Sequence, residues 1–382
     1  MKYYIISGEA SGDLHASNLV KELFKIDAQA NIRAWGGDLV QAAGASLARH
    51  YREHAIMGLG QIIMKLPTIL GNFNFCRRDI TEFQPDVLIL IDYSGFNLRI
   101  AKWAKSMGYK IFYYVSPQVW ATRSGRVHKI KQWVDEMFVI LPFEPDFYAK
   151  YDYKVNYEGH PLLDAVHQYQ EKQDKGLVPH LRSTYNLGDK PIIALLPGSR
   201  NQEVSAMLPT MLKMQAYFPD YQFVIAGAPS FDLAYYEPFI KDYPNIKIIK
   251  GETYNLLNNA HFALVTSGTA TLETAIFNVP QVVCYKTGPL FVWIVRKIIK
   301  VKYISLVNLI LNKESVPELI QGDFNATRLE KEMKALIPTE SPARQNILSD
   351  YAQLHTMLGS SGVSQRVANT MYKKLIENKI AK

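Results

Sequence analysis

Chemistry in this 382-residue chain is concentrated where apolar runs end in short polar loops. The run Val87-Leu-Ile-Leu-Ile91 ends in Asp92-Tyr-Ser-Gly-Phe-Asn97. A carboxylate emerging there, partly desolvated, could take a proton from a substrate hydroxyl. It could equally cap the helix that follows. The run Ile192–Leu196 ends in Pro197-Gly198-Ser199-Arg200. A Gly-Ser turn at a helix start offers backbone N–H groups, and arginine adds a bidentate fork for phosphate. A third run ends in Thr266-Ser267-Gly268-Thr269, with Glu273 one turn into the next helix. That turn suits a diphosphate, and Glu273 could accept both hydroxyls of a ribose; the bland alternative is that Ser267 or Thr269 merely caps the helix.

Three further places carry candidates. The loop Ser7-Gly8-Glu9-Ala10-Ser11-Gly12-Asp13 has the small residues that let a backbone approach a ligand, with Glu9, Ser11, Gly12 and Asp13 in position to contact it, or with Asp13 as a plain N-cap. Ser116-Pro-Gln-Val-Trp120 is followed by Arg123, Arg126 and Lys129 at every third residue, with Lys131 adding to the patch. These cations could hold a phosphate or lipid headgroups, or simply form a solvated face. His160, in Glu158-Gly-His-Pro161, closes the last strand of the first half as a structural histidine or a ligand contact. Metal and nucleophile chemistry find no support. The nine histidines show no HExxH pairing, no G-x-S-x-G elbow occurs, and Cys76 and Cys284 lie far apart. Neither GxGxxG nor a P-loop is present.

Loops of this kind need rigid strands behind them. Short β-branched and aromatic runs fall at Tyr3–Ser7, Ile32–Gly36, Asp86–Asp92, Lys110–Ser116, Glu136–Leu141 and Val155–Gly159, separated by helical patterns such as Ser17–Ile26, Leu98–Met107 and Gly125–Trp133. After a polar stretch from about Gln168 to Lys190 the pattern resumes at Pro191–Leu196, Tyr221–Ala226, Ile246–Lys250, His261–Thr266 and Gln281–Tyr285. Serial βαβ units with continuously apolar strands imply parallel sheets covered on both faces. The expected fold is α/β: two doubly wound, Rossmann-like domains, about 1–170 and 190–342, with the helical stretch 343–382 able to pack back on the first. Such sheets bind ligands at the carboxyl ends of their strands, which is where the candidate loops fall.

Composition sets the surroundings. Lys plus Arg is 43 against 35 Asp plus Glu, a net charge of +8 that suits an anionic partner without singling out nucleic acid. Two cysteines fit a reducing compartment, and no stretch of ~18 apolar residues exists to span a membrane. Two stretches look suited to a membrane surface. From Ala55 to Cys76 the one charged side chain is Lys65 and apolar residues form a helical stripe interrupted by Pro67, and Leu290–Tyr303 combines apolar bulk with four cations and no acid.

Taken together, the chain resembles the lipid-A-disaccharide synthases, inverting glycosyltransferases of bacterial outer-membrane biogenesis. The resemblance covers nearly the whole chain and rests on Ser-Gly-Glu-Ala-Ser-Gly-Asp13, Ile-Asp92 with Phe96-Asn-Leu98, Tyr-Val-Ser-Pro117 with Val-Trp120, Leu141-Pro-Phe-Glu144, Gly-His160, Leu-Leu-Pro-Gly-Ser-Arg200 with Glu-Val204, Ser-Gly-Thr-Ala270 with Leu-Glu273, and Tyr303-Ile-Ser-Leu with Asn308. It implies the GT-B architecture, two Rossmann-like domains facing a central cleft. The implied reaction joins UDP-diacylglucosamine to diacylglucosamine 1-phosphate, giving UDP and a β-1,6 disaccharide phosphate, at the cytoplasmic face of the inner membrane and with no metal or other cofactor. It implies Asp92 as the general base, with Gly198, Ser199, Arg200, Ser267, Gly268, Thr269, Glu273 and Asn308 holding the UDP-sugar. The acceptor candidates are Glu9, Ser11, Gly12, Asp13, Asn97, Arg123, Arg126 and His160. Many members carry a second aspartate where Gly95 stands, so Asp92 is expected to act alone. The C-terminal helices and the 290–303 stretch could mediate a homodimer. A UDP-N-acetylglucosamine 2-epimerase-like enzyme of the same fold, or a non-catalytic nucleotide-sugar module, would use the same UDP-binding half.

Overall fold

The computed structural model describes residues 1–54, 66–122, 124–288 and 302–380. The chain forms two compact units, Met1–Asp164 with Ser360–Lys382, and Ala165–Gly359.

The first unit is built on seven strands: β1 Lys2–Ser7, β2 Asn31–Gly36, β3 Ser46–His50, β4 Val87–Ile91, β5 Ile111–Tyr114, β6 Glu136–Val139 and β7 Asn156–Tyr157. They pair in the order β3-β2-β1-β4-β5-β6-β7, every neighbour parallel. Successive side chains alternate between two cores, as the pleat requires. Tyr3, Ile5, Val87 and Ile89 face Leu19, Leu23, Val367 and Met371. Tyr4, Ile6, Leu88 and Leu90 face Ile80, Phe96, Ile100 and Ile130. A sheet apolar on both faces can only sit between two helical layers.

The second unit carries β8 Ile192–Leu196, β9 Gln222–Gly227, β10 Lys247–Lys250, β11 Ala260–Thr266, β12 Gln281–Tyr285 and β13 Glu318–Ile320. Their order is β10-β9-β8-β11-β12-β13, again all parallel. In both units the strand order reverses beside the first strand, between β1 and β4 and between β8 and β11. Those are the switch points where doubly wound sheets bind ligands.

Three features differ from the expectation. The edge strands β3 and β13 are absent from it: β3 reads Ser-Leu-Ala-Arg-His, with little β-branched character, and β13 has only three residues. The first helix starts at Ala10 instead of Ser17, so Ser11, Gly12 and Asp13 lie in its first turn. The C-terminal stretch is two helices, Pro342–Leu358 and Val363–Ile380, separated at Gly359 and Gly362, whose φ values of +87° and +84° suit glycine. The first of them belongs to the second unit, where the Tyr351 hydroxyl accepts from Gln281 at 2.9 Å and donates to the Val279 carbonyl at 3.2 Å. Only the last helix joins the first unit. There the Asp164 carboxylate accepts the N–H groups of Gly362, Val363 and Ser364 at 2.7, 2.9 and 2.7 Å, capping its N-terminus. The polar stretch 168–190 also falls within the second unit.

Candidate active site

In the first unit Asp92 follows the five buried residues of β4, which is paired on both sides: Ile91 lies opposite Ser7 of β1 and Tyr114 of β5. The Asp92 N–H continues the ladder to the Tyr114 carbonyl at 3.1 Å. The chain then turns through two consecutive left-handed residues, Asp92 at φ +47° and Tyr93 at φ +46°, before the helix Ser94–Ser106. Non-glycine residues hold that conformation only when their surroundings enforce it. Here the Asn97 side-chain amide donates to the Asp92 carbonyl at 2.9 Å and to the Ile91 carbonyl at 3.2 Å. The buried Tyr113 hydroxyl donates to the same Asp92 carbonyl. The Tyr93 ring lies on Gly8, where a Cβ would come within 2.3 Å of it. All of these contacts engage the main chain or the neighbouring ring, and none uses the Asp92 carboxylate. Burial pushes that carboxyl above its ordinary range, and the negative charge of Glu9, at the N-cap of the helix Ala10–Ile26, pushes it further. Glu9, in the β1 loop across the switch point, is thus a charged neighbour of Asp92.

The other first-unit candidates divide. Asp13 is not available to a ligand, because its buried carboxylate accepts the N–H groups of Gly37, Leu39 and Val40 at 2.6, 3.1 and 3.2 Å and so caps the helix Asp38–Ala42. Nor is it the cap of its own helix, a place taken by Glu9. Asn97 is wholly buried and supports the Asp92 turn. Ser11 lies exposed in the first turn of its helix, while Gly12 is buried against Ser7. Arg126 and Lys129 are exposed, and Arg123 lies outside the described residues. So do residues 55–65 and 289–301, hence half of the first and most of the second stretch expected to meet a membrane surface. Among the described residues no helix is long and apolar enough to cross a membrane.

His160 is almost fully buried, and its Nδ1 accepts the Leu162 N–H at 3.2 Å. Burial lowers its pKa to about 3, helped by neighbouring His15, which burial itself lowers to about 4. Both rings are neutral in the folded protein at pH 7. The unfolded chain takes up these protons below about pH 6.5, whereas the folded chain refuses them until pH 4 to 3. Stability contributed by the neutral rings is thus lost as pH falls through that window. Urea unfolding should show a loss of roughly 2–4 kcal/mol between pH 7 and pH 5. The variant His160→Gln should shrink that pH dependence, and an equally steep dependence in the variant would count against the assignment.

In the second unit β8 and β11 lie side by side, with Leu196 opposite Val265, so their turns are neighbours. The two turns are finished differently. After β8, the Ser199 and Arg200 N–H groups are taken by Glu203 Oε2 at 3.0 and 3.2 Å. A Cβ on Gly198, at φ +111°, would come within 2.5 Å of that oxygen. The backbone of this turn, expected to present its N–H groups to phosphate, is therefore occupied by the chain's own carboxylate. Its guanidinium is not: Arg200 pairs with Glu203 Oε1 at 3.4 Å but keeps 74% of its side chain exposed.

After β11, Gly268 at φ +149° leads into the helix Thr269–Ile276, which starts without a side-chain cap. Ser267 donates to the Ile304 carbonyl at 2.8 Å and Thr271 to the Gly268 carbonyl at 2.8 Å, which fixes the turn. An uncapped helix N-terminus and an exposed arginine on neighbouring turns are groups of the kind that can hold an anion. Glu273 projects from the second turn, raised by burial, with the Tyr254 hydroxyl donating to it at 3.1 Å.

The Asn308 side chain, expected to hold the UDP-sugar, is engaged within the chain. Its buried amide donates to the Val316 carbonyl and to Glu318 at 2.8 and 2.9 Å, and its oxygen accepts from Ser315 and Val316 at 2.8 and 2.9 Å. Every strong position on the side chain is used to clip the loop 312–318 to the helix Leu306–Leu311. Asn308→Ala would leave two buried N–H groups unpaired, and calorimetry should show a loss of about 2–4 kcal/mol in the second unit. Unchanged stability would contradict the clip. Sequence reasoning missed Tyr254 and the capping role of Glu203. The spacing of Arg200 and Glu203 could have revealed the latter, being that of a capping box, whereas Tyr254 has no local signal.

Two Rossmann-like units, each with its polar turns at the switch point, have the architecture of the GT-B glycosyltransferases. A UDP-GlcNAc 2-epimerase of Neisseria meningitidis, solved with UDP-GlcNAc bound, superposes with a TM-score of 0.70 at 12% identity, covering 98% of this chain and all of that one. The calicheamicin glycosyltransferase CalG4 gives a TM-score of 0.60 at 14% identity, covering 100% and 99%. At such identities these likenesses establish the fold alone. The chain belongs to the lipid-A-disaccharide synthetase family, whose model matches residues 3–371. The lipid-A-disaccharide synthase of Syntrophus aciditrophicus is 38% identical over 370 residues, 95% of each chain.

Proposed function

We propose that this chain transfers diacylglucosamine from its UDP derivative to diacylglucosamine 1-phosphate, forming the β-1,6 disaccharide phosphate and releasing UDP. The observation that carries the mechanism is the enforced Asp92 turn, which presents a half-buried carboxylate at the switch point of the first unit. Asp92 takes the proton of the acceptor's 6-hydroxyl as that oxygen attacks the anomeric carbon. The bond to the diphosphate breaks, and its electron pair leaves with UDP. A base raised above the ordinary carboxylate range is better matched to a sugar hydroxyl than an ordinary one. In the second unit, Arg200 and the first-turn N–H groups of the helix Thr269–Ile276 stabilise the charge developing on the departing diphosphate. Glu273 accepts from the ribose hydroxyls. Because the acceptor oxygen displaces UDP in a single step, the reaction is proposed to invert the anomeric centre, and because fixed donors meet the charge on the diphosphate it is proposed to need no metal.

Both proposed substrates carry acyl chains, so the enzyme is placed at the cytoplasmic surface of the inner membrane, held peripherally; the apolar, basic composition of 290–303 supports this. The same stretch and the C-terminal helices are proposed to support a homodimer. The test is the acceptor dependence of UDP release, measured in mild detergent with a chelator present. Release should require both acylated substrates. Release from the donor alone, or turnover of plain UDP-N-acetylglucosamine, would contradict the proposal.

A further inference from the structure

We propose that Tyr254 is a positioning residue for the donor: its hydroxyl holds the Glu273 carboxylate in the orientation and ionised form that accepts a ribose. The inference rests on the reading of Glu273 as the ribose acceptor.

Glu273 stands on the helix after β11, whereas Tyr254 belongs to the helix Thr253–Asn258 that follows β10. The contact between them is a single hydrogen bond, Tyr254 hydroxyl to Glu273 Oε1, at 3.1 Å. With Oε1 engaged from one side, Oε2 is the oxygen left to meet a ribose hydroxyl. A carboxylate on a free side chain would sample several rotamers; one tethered to a fixed donor does not. The donor is itself fixed. The Tyr254 ring packs on Phe277 at 5.3 Å, one helical turn beyond Glu273, and meets Tyr169 edge-on at 6.0 Å. Tyr169 and Phe277 also meet edge-on, at 5.7 Å, so three rings close on one another and leave the Tyr254 ring little freedom.

The hydrogen bond also bears on charge. Burial favours the neutral form of Glu273, and a protonated carboxyl would offer the ribose a donor where an acceptor is needed. The Tyr254 hydroxyl opposes this by stabilising the carboxylate, and among the described residues it is the titratable group that meets Glu273. Removing it should weaken nucleotide binding and also make that binding fail at a higher pH.

The experiment titrates UDP into the full-length protein by calorimetry from pH 5 to pH 8, for the wild type, Tyr254→Phe and Glu273→Gln. Tyr254→Phe keeps the ring packing, and thermal melting checks that it folds. Its UDP affinity at pH 7 should fall about tenfold, as expected for losing one hydrogen bond to a charged group. Its acid loss of affinity should have a midpoint displaced to higher pH than in the wild type. Glu273→Gln should bind weakly throughout and show only the titration of UDP itself, which supplies the baseline. If Glu273→Gln binds UDP like the wild type, the ribose reading fails and takes this inference with it. If Glu273→Gln is weak while Tyr254→Phe keeps the wild-type affinity, Tyr254 alone loses its role. A weakened Tyr254→Phe with an unmoved midpoint also overturns the proposal, since the hydroxyl would then not be holding the Glu273 carboxylate in its ionised form.

Discussion

Asp92→Asn should lower turnover about 10³-fold while UDP affinity stays close to that of the wild type. The substitution is informative because it removes one thing only. Asparagine tolerates the left-handed conformation at φ +47° as aspartate does. The contacts that hold the turn, from Asn97 and Tyr113, go to the main-chain carbonyl and survive the change. What is lost is a base on the acceptor hydroxyl. The pH profile adds a second reading. Because burial and the charge of Glu9 both raise the Asp92 carboxyl, the acid limb of kcat/KM should lie above the ordinary carboxylate range. Glu9→Gln removes one of those two causes and should move the limb to lower pH. A Glu9→Gln enzyme with an unmoved limb would show that the two carboxylates do not interact.

Arg200→Ala should cost about 10²-fold in kcat, with a weaker affinity for UDP and almost no change in thermal stability. The asymmetry follows from exposure. The Arg200–Glu203 pair is held at 3.4 Å by a side chain that is 74% exposed, and such a pair adds little to folding. The turn itself is held by Glu203 through backbone N–H groups and does not need the guanidinium. Arg200→Lys should recover only part of the activity, because an ammonium cannot bond two phosphate oxygens in the fork geometry. A fall in melting temperature as large as the fall in rate would instead make Arg200 a structural residue.

These two residues were legible in the sequence, as was the frame behind them. A run such as Val87-Leu-Ile-Leu-Ile91 reads as a strand covered on both faces, and the polar residue that ends it falls at the ligand edge of the sheet. Residue type and position along the strand suffice there. They do not suffice where a side chain's role depends on which distant N–H groups lack a partner. Asp13, Asn308 and Glu203 are of the right types to bind a ligand, and each is engaged with the backbone. The partner N–H groups lie 24 residues from Asp13 and seven from Asn308, in loops whose pairing residue type does not encode. Tyr254 was hidden for the same reason, reaching Glu273 from another helix 19 residues away. The edge strands β3 and β13 escaped because an edge can do with less apolar character or length than a central strand. The break between the last two helices was written in Gly359 and Gly362, but helix-stop glycines also occur in continuous patterns.

The most direct test of the central claim is the identity of the product. Wild-type protein in mild detergent, with chelator, is given UDP-diacylglucosamine and diacylglucosamine 1-phosphate, and the product is examined by mass spectrometry and by NMR of the new glycosidic bond. A tetraacyl disaccharide phosphate with a β-1,6 linkage, formed together with one UDP per bond, is the predicted result. UDP-sugar altered at its second carbon with no disaccharide, or a disaccharide joined through another hydroxyl, would contradict it.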